Sequence, residues 1–88
     1  MKHEVTCVAV LGAGVIGASW TALFACAGLR VKVYDPLETA EINVRSYLAD
    51  AVPMLRQLGM NGIQGEISFY TSASEAVEGC QFAQECAP

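Results

Sequence analysis

Val10-Leu11-Gly12-Ala13-Gly14-Val15-Ile16-Gly17 decides the fold. Ahead of the glycines runs Val5 to Leu11, apolar and β-branched, the pattern of a central strand covered on both faces. Behind them runs Ala18 to Gly28, apolar at helical spacing. Strand, glycine turn and helix in that order make a phosphate cradle. Gly12 permits the tight turn, Gly14 lets the backbone approach a pyrophosphate, and Gly17 lets helix and strand pack closely. The helix then aims its unpaired N–H groups and positive dipole end at the phosphates. Glycines also serve plain turns, so the pattern gains weight only if an acid follows about 20 residues on.

That acid is Asp35. Val31-Lys32-Val33-Tyr34 reads as a second strand, and Asp35 closes it 18 residues after Gly17. A carboxylate there accepts hydrogen bonds from the adenosine ribose hydroxyls of a dinucleotide. The plainer alternative is a strand-end Asp opening a turn with Pro36. The same charge repels a 2′-phosphate, and neither Pro36 nor Leu37 is a cation to receive one. NAD is therefore expected rather than NADP.

Composition narrows the rest. The chain has 88 residues, 53% hydrophobic and 16% charged, with net charge −4. That length allows one small domain, and the apolar excess implies surface meant to be covered by more chain or a second subunit. Nucleic acid is not an expected partner, because only five basic residues are present and they are scattered. Cys7, Cys26, Cys80 and Cys86 fit no zinc spacing and read as free buried thiols in a reducing, cytoplasmic setting. No charge occurs from Val5 to Leu29, yet three close glycines and a strand-then-helix pattern argue against a membrane span or leader. His3 reads as part of a solvated terminus rather than as a base.

In chain order, a helix is expected from Gly14 to about Ala27, with Ile16, Trp20, Leu23, Phe24 and Ala27 on its inner face and Gly28 as its cap. Glu38 to about Leu58 is helical, with Ile42, Leu48, Val52, Leu55 and Leu58 recurring along one side. Pro53 predicts a kink or a boundary near Val52. Glu66–Tyr70 reads as a third strand. Ser72 and Glu75 form a capping box that starts a short helix at Ala73. Cys80–Glu85 reads as a fourth strand. The expected fold is α/β: an incomplete Rossmann-type parallel sheet of about four strands, order 3-2-1-4, with helices on both faces.

With these segments in place, the chain resembles the NAD-binding domain of the 3-hydroxyacyl-CoA dehydrogenase family. The residues that carry the resemblance are Val10 to Trp20, Val31 to Asp35, and Gln84-Glu85-Cys86-Ala87-Pro88. Ser19-Trp20 and the final segment are most similar to the branch with L-carnitine 3-dehydrogenases and L-gulonate 3-dehydrogenase, or lambda-crystallin. The resemblance implies NAD held by Gly12, Ala13, Gly14, Val15, Ile16 and Gly17, its ribose by Asp35, with Ala87 and Pro88 near the nicotinamide ribose. It also implies that residues 1–88 are a partial NAD-binding domain. The family's catalytic His, its carboxylate partner and the helical C-terminal dimerisation domain lie beyond these residues. The expected role is thus the NAD-binding portion of an oxidoreductase of L-3-hydroxy acids or 3-hydroxyacyl-CoA, in a homo-oligomer. The alternative is a non-catalytic nucleotide-binding module.

Overall fold

Residues 5–86 are described by a computed structural model. The strands are β1 (Cys7–Leu11), β2 (Arg30–Tyr34), β3 (Ile67–Tyr70) and β4 (Phe82–Glu85). The helices are α1 (Val15–Cys26), α2 (Ala40–Gln57) and α3 (Ala73–Val77). The sheet order is β3-β2-β1-β4, and every pairing is parallel. β1 is the axis: Val8, Ala9 and Val10 are at most 1% exposed, as a strand covered on both faces requires.

Side-chain alternation divides the faces. Val8, Val10, Val31 and Val33 form one core with Ala18, Ala22 and Ala25 of α1 and Val44 and Leu48 of α2. Lys32 points to the other face, which α3 covers. It is buried, and its Nζ donates to the carbonyls of Glu75 and Glu78 at 2.8 and 2.7 Å. Those acceptors lie at the end of α3, where a cation also meets the negative pole of the peptide dipoles. Tyr70 lies beneath the same ammonium, 4.8 Å from ring centroid to nitrogen. Ser72 caps α3 as the capping box predicts, accepting the Glu75 N–H at 3.4 Å. Gly28 ends α1 with φ +88°, the left-handed value that glycine tolerates.

Three expectations need correction. The inner face of α1 does not include Ile16, Trp20, Leu23 and Ala27, although Phe24 is half-buried and packs against the core as expected. That face is Gly17, Ala18, Thr21, Ala22, Ala25 and Cys26, whereas Ile16 is 66% exposed and Trp20 and Leu23 also face outward. The helix starts one turn from β1 and can lie that close only on small side chains. Ile16, Trp20 and Leu23 are left outside, and Trp20 stacks at 5.3 Å on the half-buried Phe24, which Phe82 of β4 meets edge-on. Thr21 fits inside because its hydroxyl donates to the Gly17 carbonyl at 2.8 Å.

The second correction concerns the boundary expected as one alternative near Val52: α2 is a single helix running through Pro53. Proline removes only the N–H that would serve the Ala49 carbonyl. Val52 and Leu55, on either side of it, pack on the core and hold the helix together. Third, Ile42 and Leu58 are exposed, while Val44 and Leu48 make the inward face. If α2 is seated this way, Val44→Ala lowers unfolding free energy by about 2 kcal/mol. Ile42→Ala changes it by less than about 0.5 kcal/mol. Urea unfolding of both variants checks the orientation.

Candidate nucleotide-binding site

The carboxyl ends of β1, β2 and β4 are drawn together by backbone hydrogen bonds. Gly12 N–H donates to the Tyr34 carbonyl at 2.8 Å, and Cys86 N–H donates to the Leu11 carbonyl at 2.8 Å. Gly12 has φ +108°, which turns the chain out of β1 in a way a side chain resists. Gly17 has the other indispensable hydrogen. A Cβ there would collide with the carbonyl oxygen of Gly12. Gly14 differs from both: φ is −71°, and a Cβ would meet nothing within 4 Å. Its bareness therefore serves no neighbour in the fold, which fits a backbone that a ligand must approach.

Gly14 is the N-cap of α1 without a capping side chain, and the first turn contains no acid. The first amides of a helix lack intrahelical acceptors, so the positive end of α1 is not neutralised by its own residues. Val15 and Ile16 open the helix with side chains 72% and 66% exposed, so only their backbones are placed for this role.

Asp35 sits just past β2. Its Oδ2 accepts the Ala13 N–H at 2.8 Å, and its Oδ1 accepts the Leu37 N–H at 2.9 Å. One carboxylate thus clasps the glycine turn to the end of β2 and rigidifies its own loop. Each oxygen retains further acceptor capacity for ribose hydroxyls. The structure brings Gly12, Ala13, Gly14 and Asp35 to one cleft of ≈ 410 Å³, completed by Leu11, Leu37 and Cys86. The cleft lies where the chain's direction of travel reverses, between β1 and β4, the place where open α/β sheets bind ligands. Burial and the neighbouring Glu85 carboxylate push the Cys86 thiol up from its ordinary range, so this wall of the cleft presents a neutral thiol. Ala87 and Pro88 lie outside the described residues.

Sequence reasoning did not identify Leu11 and Leu37 as cleft walls. Nor did it find that Ser19 joins the helices: its hydroxyl donates to the Val15 carbonyl at 2.9 Å and lies 2.7 Å from the Tyr47 hydroxyl. Long-range side-chain meetings such as Ser19 with Tyr47 have no signature in local spacing.

A parallel sheet, a glycine turn at its switch point and a strand-end carboxylate clasping that turn define a dinucleotide-binding domain of the Rossmann class. The chain belongs to the family of the 3-hydroxyacyl-CoA dehydrogenase NAD binding domain, whose model matches residues 7–88. It is 39% identical over 88 residues to an L-carnitine dehydrogenase of Streptomyces griseus, covering 98% of this chain and 26% of that protein. It is 36% identical over 91 residues to the human lambda-crystallin homolog, covering 93% and 28%. Among solved structures it is similar to 5-formyl-3-hydroxy-2-methylpyridine 4-carboxylic acid 5-dehydrogenase, an NAD+-dependent dismutase. The TM-score is 0.81 and the identity 28%, covering 97% of this chain and 28% of that one. The chain thus spans little more than a quarter of the length of these relatives. NAD is the cofactor of this domain.

The two glycines make opposite predictions. Gly17→Ala must separate α1 from the turn, and urea unfolding should register a loss of about 2 kcal/mol or more. Gly14→Ala adds its methyl to open space and should cost under about 1 kcal/mol, while weakening NAD in a calorimetric titration. Equal stability losses would remove the distinction between a packing glycine and a ligand-approach glycine.

Proposed function

We propose that the amides of Gly12 to Gly17 hold the pyrophosphate of NAD and that Asp35 accepts the hydroxyls of its adenosine ribose. Ala87 and Pro88 are assigned to the nicotinamide side. The observation that carries this reading is the Asp35 carboxylate, fixed 2.8 Å from the Ala13 amide at the mouth of the cleft. When bound, NAD supplies a hydride acceptor. This chain's own residues bind and orient it: the turn and the start of α1 meet the phosphates, while Leu11 and Leu37 offer apolar walls that exclude water.

For the complete protein we assign hydride transfer between NAD and an L-3-hydroxy acid or a 3-hydroxyacyl-CoA. The L-carnitine dehydrogenase relatives support the first, and L-carnitine is the substrate to try before others. Removing hydride from a secondary alcohol also needs a base for the hydroxyl proton. The base, the substrate contacts and a homo-oligomer interface are assigned to chain beyond these residues. The setting is assigned to a reducing cytoplasm, supported by four free thiols. No helix among the described residues is long and apolar enough to cross a membrane.

Calorimetry tests the cofactor assignment. NAD and ADP-ribose bind with similar affinity, and NADP binds at least about 10-fold more weakly, because its phosphate meets Asp35. Asp35→Ala weakens NAD by about 10- to 100-fold, the worth of charge-assisted hydrogen bonds. Asp35→Asn retains an acceptor for Ala13 and narrows the gap between NAD and NADP. Equal binding of both dinucleotides to the unaltered chain would refute the assignment.

A further inference from the structure

At the end of the sheet opposite the cleft, two thiols face each other. Cys7 opens β1, and Cys80 lies in the turn between α3 and β4. Their Sγ atoms are 3.1 Å apart although the residues are 73 positions apart in sequence. We propose that Cys7 and Cys80 are a redox clamp: exchange with a low-molecular-weight disulfide such as glutathione disulfide converts them to an intramolecular disulfide.

The surroundings hold both residues in place. Gln81 N–H donates to the Cys7 carbonyl at 3.1 Å, and the Gln81 side-chain oxygen accepts the N–H groups of Thr6 and Cys7 at 3.0 and 2.9 Å. The backbone on either side of the pair is thus bonded across the β1–β4 junction before any covalent link forms. Cys80 Sγ also donates to the Ala76 carbonyl at 3.3 Å, at the end of α3. Closing the sulfurs to a bond of about 2.05 Å asks for a shift of about 1 Å.

Access sets the order of events. Cys7 is 8% exposed and Cys80 is more open, so Cys80 reacts first. Its sulfur loses a proton to solvent and attacks one sulfur of the small disulfide, releasing one thiol. Cys7, on losing its proton, attacks Cys80 Sγ in the mixed disulfide and releases the second thiol. Two protein thiols are oxidised, and one small disulfide is reduced to two thiols. Burial pushes the Cys80 thiol up to about 11, with the neighbouring Cys7 adding to the shift and Lys32 and Arg30 opposing it. The first step is therefore slow at neutral pH.

The link would close a loop of most of the chain and restrict the unfolded state, far from Asp35 and the glycine turn. The expected consequence is a domain that melts higher and binds NAD unchanged. Cys26 and Cys86 are also free thiols, and among the described residues neither has a second sulfur facing it as Cys7 and Cys80 do.

The reduced full chain, held in excess glutathione disulfide at pH 8.5, should lose two titratable thiols and 2 Da. Cleavage after glutamates separates Cys80 from Cys86, and fragmentation of the linked 5–38 peptide separates Cys7 from Cys26. The spectrum should show Cys7 joined to Cys80. The melting temperature should rise by on the order of 10 °C and return on adding dithiothreitol. Cys80→Ser, at the less buried position, should form no link and show no rise. A stable glutathione adduct on Cys80, a link to Cys26 or Cys86, or four thiols still titratable would each overturn the proposal. Because NAD binding is read separately, these outcomes leave the cofactor assignment untouched.

Discussion

Helix α1 lies against β1 as closely as it does because Gly17 has no Cβ to strike the carbonyl of Gly12. Much else follows from that contact. It brings the start of the helix to the carboxyl end of the central strand, with its N-cap Gly14 at the wall of the cleft. It demands small residues for the next two turns, and Ala18, Ala22 and Ala25 supply them. It leaves Ile16, Trp20 and Leu23 outside. It also sets the glycine turn within reach of Asp35, whose carboxylate then ties β2 to the same point. A single missing methyl thus couples the packing of the domain to the geometry of its binding site.

The sheet topology adds the cleft. Because β4 pairs with β1 on the side away from β2, the sheet has its switch point between β1 and β4, and the cleft lies there. Asp35 serves two ends there. In the fold it accepts backbone amides of Ala13 and Leu37, and in the proposed function its negative charge is what meets the adenosine ribose. This dual use makes the site preorganised: the acceptor is already held by the residues it orients, so little ordering remains to be done on binding.

Much of this is readable from spacing. The glycine turn, the Asp at the end of the second strand, the capping box at Ser72 and the order of strands all depend on local rules that leave marks every few residues. Strand and helix types agree at each segment, with ends displaced by a residue or two. The inward face of α1 is not readable, because a helix with no charged residue has no polar side to mark its exterior. Closeness to the sheet decides it, and local periodicity does not encode that. Pro53 misleads for a related reason, since a proline breaks a helix only where packing fails to hold its neighbours. The Asp35 clasp, the Ser19–Tyr47 contact and the Cys7–Cys80 pair all join distant positions, and only the folded chain shows them.

The central claim is that the glycine turn and the Asp35 loop act as one preformed receptor for NAD at the carboxyl end of the sheet. Backbone amide spectra recorded during titration of isotopically labelled protein with NAD test it residue by residue. The account predicts saturable shifts at Gly12 to Gly17 and at Leu37, while Cys7, Gly79 and Cys80 at the far end stay still. Shifts confined to α2 and the far end of the sheet, with the glycine turn unmoved at saturation, would contradict it.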